Sequence, residues 1–381
     1  MSGGNAHLCW TGDGEGSGWS SAKGHDPDVM TQLLVLNALP LAPGAGGVST
    51  YIREMLAALP AAWPQRRPLI AAAVQRSAAG QVPGGIEALV FPDEAGWRRA
   101  LRSARGFGPA DLVHGLDADL PLRPGAPAVA TVHDLGVWDV PWAFPAAKAR
   151  AERVIVASSL RRAAAVVAVS AFTAERLEAR LGIEAVVVHE APAPDLGPPT
   201  LAQVEELRGR YRIPERCVLH VGNLEPRKDI GTIAAACRRL GVELLLTGEQ
   251  LWGSRSDLAG ARWLGTVPRS DLAALYGAAT VVVYASVYEG FGLPPIEAMA
   301  CGAAVVSTPV PSVVEVAGAG LGAETFPAGD VDALTAILGE LLADSDRRDA
   351  LSAEGRRRAA SLSWDRTAAG TVAVYRSLGL G

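Results

Sequence analysis

Two turns in the second half of the chain gather the residue types best suited to chemistry. In the first, Leu219-His220-Val221-Gly222 reads as a strand end, and Asn223-Leu224-Glu225-Pro226-Arg227-Lys228 leads to Asp229, a fitting N-cap for a helix reaching Leu240. Arg227 and Lys228 then stand at a helix N-terminus, where cations oppose the macrodipole unless an anion joins them. A diphosphate suits such a place. Arg grips phosphate oxygens as a fork, Lys adds a compact charge, and both stabilise a leaving group that gains charge. From spacing alone, an ordinary solvated Arg-Lys pair explains the residues equally well. The second turn is Tyr288-Glu289-Gly290-Phe291-Gly292-Leu293-Pro294-Pro295-Ile296-Glu297, placed between another apolar run and another helix. Gly290 and Gly292 allow close backbone approach with N–H groups turned to an anion, and Pro294 or Pro295 suits a first helical position. Glu289 at the strand end and Glu297 in the helix's first turn border that opening, where carboxylates can hold sugar hydroxyls. Taken singly, each reads more simply as a loop acid or a first-turn carboxylate.

The first half offers a glycine loop and a histidine. Gly44-Ala45-Gly46-Gly47-Val48 follows the first strand-like run and precedes a helix starting near Ser49. A dinucleotide fingerprint needs glycine at the position Ser49 occupies, so a nicotinamide reading fails on its own pattern. Thr131-Val132-His133-Asp134-Leu135 ends another strand, so His133 and Asp134 stand at its carboxyl end, where a histidine can move a proton and an acid can orient it. A structural His133 bonded to backbone is the alternative. His114 is a weaker candidate, and His189 and His220 read as structural.

Elements of one kind must position these turns. From residue 32 onward, short Val/Ile/Leu/Ala runs alternate with longer helical patterns, which is βα repetition. Expected strands are 32–36, 69–74, 88–91, 112–114, 128–133, 166–169 and 185–189, then 217–221, 242–246, 262–264, 280–284, 304–307 and 324–326. Continuous rather than alternating hydrophobicity marks parallel strands covered by helices on both faces. The Pro-dense stretch Ala191-Pro192-Ala193-Pro194 separates two complete series. The expected division is a disordered leader over 1–30, a Rossmann-like domain over 31–195, a second Rossmann-like domain over 196–362, and a helix over 363–381. That helix carries Trp364, Ala368, Val372, Tyr375 and Leu378 on one stripe and is expected to pack back on the first domain. The fold class is therefore α/β, two doubly wound Rossmann-like domains facing a cleft, with ligands at the strands' carboxyl ends.

Composition excludes several functions. The 381 residues are 49% hydrophobic and 20% charged, with 35 basic against 40 acidic side chains and a net charge of -5, as in a globular protein and not a general nucleic-acid binder. Cys9, Cys217, Cys237 and Cys301 lack CxxC spacing, and three lie in apolar runs, so the simplest compartment is a reduced cytoplasm. Apolar stretches are broken by Pro, Arg or Gly too soon to span a bilayer. Trp97, Arg98, Arg99, Arg102 and Arg105 form a basic helical pattern that could lie on an anionic membrane. Residues 31–200 carry 16 basic and 15 acidic side chains, which gives no domain-wide attraction to lipid, so a solvated helix face is favoured. Attachment at the inner face of a membrane is then at most peripheral.

The stretch Glu289-Gly-Phe-Gly-Leu-Pro-Pro-Ile-Glu297-Ala-Met-Ala-Cys-Gly resembles the E-x7-E signature of the family 4 retaining glycosyltransferases, which adopt the GT-B fold. The resemblance extends to Val221 through Lys228, to Leu264-Gly265-Thr266-Val267-Pro268 and to Trp364-Asp365, covering the second domain, and is looser in the first. It implies that Arg227 and Lys228 hold a donor diphosphate, Glu297 the ribose hydroxyls and Glu289 the transferred sugar. Amides of Phe291, Gly292 and Leu293, beside Gly290 and Gly222, would complete the cradle, and Gly265, Thr266 and Val267 would line the base pocket. Gly46 and Gly47 would reach across the cleft, with His133 and Asp134 near donor sugar and acceptor. Asp229, Ala285 and Ala191-Pro192 depart from the commoner Asn, Pro and Asn-Gly, and Asn223 stands where some relatives have Arg. The D-x-D at Asp117-Ala118-Asp119 resembles the metal site of single-domain glycosyltransferases and is set aside here, because Arg227, Lys228 and helix N-termini can neutralise charge in place of a metal.

The implied activity is transfer of a hexose from a nucleotide diphosphate sugar to an acceptor hydroxyl with retention, without cofactor or metal. GDP-mannose is the first expectation for the donor, since the His133-Asp134 and Glu225-Pro226-Arg227-Lys228 variants resemble mannosyltransferase-like members. The acceptor, on a glycan, a lipid-linked sugar or a natural product, is not specified. A nucleotide-sugar epimerase of the same fold and a silent nucleotide-sugar-binding subunit are the rivals.

Overall fold

The computed structural model describes residues 8–11, 18–21, 32–42, 46–63, 67–251, 260–318 and 322–381. In the leader, Leu8–Thr11 and Gly18–Ser21 pair as an antiparallel ribbon, and the rest of the stretch expected to be disordered lies outside the described residues.

The first sheet has seven parallel strands: β1 (Leu33–Asn37), β2 (Leu69–Gln75), β3 (Glu87–Phe91), β4 (Leu112–Gly115), β5 (Ala128–Val132), β6 (Ala165–Ala168) and β7 (Val186–Val187). Their order is β3-β2-β1-β4-β5-β6-β7. The second sheet comprises β8 (Cys217–Val221), β9 (Glu243–Thr247), β10 (Ala261–Trp263), β11 (Val281–Tyr284), β12 (Val305–Ser307) and β13 (Glu324–Thr325). It runs β10-β9-β8-β11-β12-β13. The two sheets repeat one rule: strand order reverses beside the first strand, so the turns after β1 and β4, and after β8 and β11, flank a crevice. β4, β5 and β11 are buried along their whole length, as strands covered on both faces must be. No helix among the described residues is long and apolar enough to cross a membrane.

The last helix, Trp364–Ser377, begins at Ser363, whose side chain accepts from the Arg366 amide. Its Trp364, Ala368, Val372 and Tyr375 lie in one core with Leu34, Tyr51 and Leu56 of the first sheet and its first helix. Trp364 also donates its indole N–H to the Pro192 carbonyl at 3.1 Å and meets the Tyr51 ring edge-on at 5.8 Å. The helix thus clamps the connection between the sheets. Trp364→Ala is expected to cost about 3–5 kcal/mol, because a large buried side chain is lost and a cavity is left. A urea midpoint within error of wild type would contradict that packing role.

The basic helix Trp97–Arg105 follows the edge strand β3, with Trp97 exposed and Arg102 over the Phe91 ring at 5.3 Å.

Candidate active site

The carboxyl ends of the two sheets enclose a cavity of about 290 Å³. Sheet order arranges its floor: the ends of β10, β9, β8 and β11 follow one another, each about 4.8 Å from the next. After β8, Pro226–Lys228 makes a single 3-10 turn, and Asp229 caps the helix Ile230–Leu240 by accepting from the Thr232 amide and hydroxyl. Arg227 and Lys228 are therefore held in the last turn before a helix N-terminus, as their spacing predicts. The Arg227 carbonyl accepts from the Val287 amide at 2.8 Å, which ties this turn to the one after β11.

Both cations face carboxylates. Arg227 donates to Glu225 at 2.6 Å and, across the cleft, to Asp134 at 3.1 Å; Lys228 pairs with Glu289. Burial alone would weaken the Arg227 charge, but Asp134, Glu289 and Glu225 outweigh it and raise its pKa. Burial likewise pushes Glu289 and Asp134 up, and the neighbouring cations more than reverse that, leaving both below the usual carboxylate range. A diphosphate entering here would meet ionised partners already desolvated, and would exchange one set of charge-assisted hydrogen bonds for another.

The turn after β11 is built on two glycines with different reasons. Gly292 has φ +93°, a left-handed conformation, and it N-caps the helix Leu293–Ala300. Gly290 is squeezed by the opposite domain: a Cβ there would sit 1.7 Å from the His133 carbonyl oxygen. Its own carbonyl accepts from Ser170 Oγ at 2.5 Å and Thr173 Oγ1 at 3.0 Å, both in the first domain. Pro294 takes the second helical position, so Glu297 falls one turn into the helix instead of in its first turn. That is a correction to the sequence reading, and it removes the macrodipole as a sufficient reason for an acid there. Glu297 is buried, its carboxyl makes no hydrogen bond to a described residue, and it lines the cavity. Burial pushes its pKa up to about 8, with Arg269 opposing and Glu190, Asp195 and Glu54 adding to the rise. A buried carboxyl with unused acceptors is suited to a pair of ligand hydroxyls.

On the first-domain side, Gly46 N-caps a helix that starts at Gly47, two residues earlier than expected, and both glycines line the cavity with open space at their Cβ positions. His133 donates from one ring nitrogen to the Leu116 carbonyl at 3.0 Å and pairs through the other with Glu190 at 2.9 Å. Burial lowers its pKa, but the hydrogen bond and charge of Glu190 raise it more, to about 9. The ring is thus an imidazolium with both N–H groups committed. Its proton is held to about pH 9 when folded and to about 6.5 when free, so the stability this pair contributes is complete below pH 6.5 and fades as pH rises through 9. Glu190→Gln should flatten that loss, seen as a smaller fall in urea midpoint between pH 6.5 and 9.5 than wild type shows. An unchanged fall would remove Glu190 as the cause.

Arg227 and Lys228, Glu289 through Pro294 with Glu297, Gly46 and Gly47, and His133 and Asp134 line this one cavity, as do Gly222, Thr266 and Val267, whereas Gly265, expected in the base pocket, is not among its lining residues. Nor is His114. It is buried between Tyr375 at 2.5 Å and Thr131 at 2.9 Å, and burial lowers its pKa to about 3. His189 bonds Glu315 at 2.6 Å, and buried His220 bonds the Val283 carbonyl. No metal-binding cluster of His, Cys, Asp or Glu occurs among the described residues, Asp117 and Asp119 included. Sequence reasoning passed over Glu190 and Arg269. Arg269 opens the helix Arg269–Ala278 and bridges Glu54 at 2.6 Å and Asp195 at 2.7 Å, closing the cleft's far side. The Tyr288 hydroxyl adds a further bridge by accepting from the Leu135 amide at 3.0 Å.

Comparison with known proteins agrees with this geometry. Residues 203–358 match the family described as "Glycosyl transferases group 1", and residues 45–192 match "Glycosyltransferase Family 4". The O-antigen chain mannosyltransferase B of Escherichia coli is 32% identical over 76% of this chain and 79% of its own. The chain belongs to the family 4 glycosyltransferases. This glycosyltransferase is also 46% identical to the MMP alpha-(1->4)-mannosyltransferase of Mycolicibacterium hassiacum over 28% of its length and 26% of that protein's. Among solved structures, a sucrose-phosphate synthase from Thermosynechococcus elongatus superposes with a TM-score of 0.72 at 23% identity, covering 91% of this chain and 99% of that one. The glycosyltransferase therefore has the GT-B fold, and as a retaining hexosyltransferase of its family it moves a sugar from a nucleotide sugar donor.

Proposed function

We propose that the donor is GDP-mannose, that the acceptor is a sugar hydroxyl of a growing or lipid-linked glycan, and that no metal takes part. The observation carrying the reading is the meeting of Arg227 and Lys228 with the Gly290–Leu293 turn at the ends of adjacent strands, with Glu297 unengaged beside them. A diphosphate spanning β8 and β11 has its charge met by two cations and a helix N-terminus. The mannose assignment is supported by the two mannosyltransferase relatives.

The chemistry follows from which groups can still accept a proton. The bond from the anomeric carbon to the diphosphate oxygen breaks, and the bond to the acceptor oxygen forms on the same face. His133 cannot take the acceptor proton while it is an imidazolium with both N–H groups engaged. Glu289 is held ionised against Lys228, which keeps it a poor base. The departing diphosphate oxygen gains basicity as the bond breaks, so it receives the proton, and no covalent enzyme intermediate is needed. Arg227 and Lys228 stabilise that developing charge.

Thermal unfolding against GDP-, UDP-, dTDP- and ADP-sugars tests the donor, with Glu297→Ala as control. A ligand at 100 times its Kd adds about 2.7 kcal/mol. GDP-mannose should raise the midpoint of the wild type and do so much less in the control. A response confined to another nucleotide would refute the donor assignment.

A further inference from the structure

We infer that Glu249 sets the nucleotide preference of this glycosyltransferase by accepting hydrogen bonds from the Watson–Crick edge of guanine. The inference rests on the GDP reading above and extends it from a nucleotide to a residue. With the diphosphate over the ends of β8 and β11, the base must lie beyond the ribose, either toward β9 and β10 or toward β12. The cavity extends toward β9 and β10, where Thr247, Gly248, Glu249, Thr266 and Val267 line it. Two strand spacings from β11 to β9 make about 10 Å, the span a nucleotide needs between phosphate and base.

Backbone carbonyls at that end already accept hydrogen bonds from the protein itself. The Gly265 carbonyl accepts twice, from the Gly248 amide at 3.1 Å and from Thr247 Oγ1 at 2.7 Å, which fills both lone pairs. The Gly248 carbonyl takes the Trp263 indole N–H at 3.0 Å, and the Glu249 carbonyl takes the Leu224 amide at 2.8 Å. That last bond also fixes the backbone of Glu249 against the loop after β8. The Glu249 carboxylate is exposed at the cavity wall and has no hydrogen bond or ion pair with a described residue. It is the one carboxylate among the described residues lining this end of the cavity.

A carboxylate is acceptor-only, with two oxygens side by side. Guanine presents two parallel donors, N1–H and the 2-amino group, which make a bidentate pair with it. Uracil presents one N–H flanked by two carbonyl oxygens, and those oxygens would face the carboxylate's negative charge. Adenine presents an amino group beside a ring nitrogen that is itself an acceptor. Of these bases only guanine satisfies both oxygens, so a carboxylate here attracts one base and repels the others, the two halves of specificity.

Inosine diphosphate differs from GDP only in lacking the 2-amino group, so the GDP-to-IDP affinity ratio reads the second hydrogen bond directly. Titration calorimetry of GDP, IDP and UDP against the wild type and Glu249→Gln gives that ratio. A hydrogen bond to a charged acceptor corresponds to roughly 10- to 100-fold in affinity, so the wild type should favour GDP over IDP by that factor and Glu249→Gln should bring the ratio close to one. Thermal unfolding of the ligand-free variant should match wild type, since the side chain is exposed. If the wild type prefers GDP and the variant keeps the same GDP-to-IDP ratio, the role of Glu249 is overturned while the GDP reading stands. If the wild type binds UDP more tightly than GDP, the donor reading itself fails, and this inference with it.

Discussion

Lys228→Gln is expected to lower kcat by roughly 10²- to 10³-fold with a smaller change in donor KM, the range seen when one preorganised group facing developing charge is removed. The size follows from burial. Lys228 is 9% exposed in its side chain and already pays for its desolvation by pairing with Glu289, so it need not reorganise when the diphosphate takes on charge. Free diphosphate carries more charge on its leaving oxygen than the bound sugar nucleotide does, so the lysine favours the transition state over the ground state. Glutamine keeps a donor for Glu289 and avoids leaving that carboxylate wholly unpaired, which would cost stability for reasons unrelated to catalysis. Arg227 behaves differently. Its alanine variant strands both Glu225 and Asp134, so it should lose thermal stability as well as turnover. Steady-state kinetics with a saturating acceptor, beside an unfolding curve for each variant, separates these effects. A Lys228→Gln enzyme with wild-type kcat would remove this lysine from the reaction.

How far the sequence discloses such a site depends on whether the cause is local. The β-strands are legible because a buried parallel strand must be apolar along its length, and the expected 217–221 and 112–114 differ from the observed strands by at most a residue. β7 is shorter than the expected 185–189, reduced to Val186–Val187, because an edge strand with both side chains exposed has pairing on one side only. The turns that carry Arg227, Lys228 and the Gly290–Leu293 stretch are legible for a similar reason, since backbone geometry and capping leave composition marks at fixed spacing. The sequence puts Glu297 in a first turn because either of two prolines could open the helix, and only the Gly292 cap fixes the register. Glu190 and Arg269 left no mark. Each acquires its function from a partner in space: His133 lies 57 positions before Glu190, and Glu54 lies 215 before Arg269. A lone acid after a short edge strand or a lone Arg at a helix start has no pattern to betray such a pairing. The glycine at 290 shows the same limit from the other side, because its type is legible while its reason, the carbonyl of His133, belongs to the other domain.

That carbonyl makes Gly290→Ala the more informative variant. With a Cβ only 1.7 Å from the His133 oxygen, the closed arrangement of the two sheets cannot form, and since a Cβ is fixed by its own backbone and meets a backbone carbonyl, no side-chain rotation relieves it. The domains must stand further apart, or the turn must move. Moving the turn means giving up the hydrogen bonds from Ser170 and Thr173 to the Gly290 carbonyl, and the Ser312 bond at 2.8 Å to the adjacent Glu289 carbonyl. Opening instead stretches Arg227 from Asp134 and separates His133 and Asp134 from the donor cradle by the ångström or more that the new methyl requires. A misplacement of about 1 Å costs on the order of 10²-fold in a reaction that depends on near-attack geometry. Gly290→Ala should therefore lose at least roughly 10²-fold in kcat/KM. Donor binding should change much less, since Arg227, Lys228, Glu297 and the base end of the cavity all belong to the second domain. The two quantities are read from acceptor-dependent turnover and from nucleotide titration of the same sample. Small-angle scattering should also show a larger radius of gyration with donor bound than wild type has. Wild-type turnover would mean that catalysis proceeds with the domains apart, and the contact between Gly290 and His133 would then be a resting state of this enzyme instead of its working one.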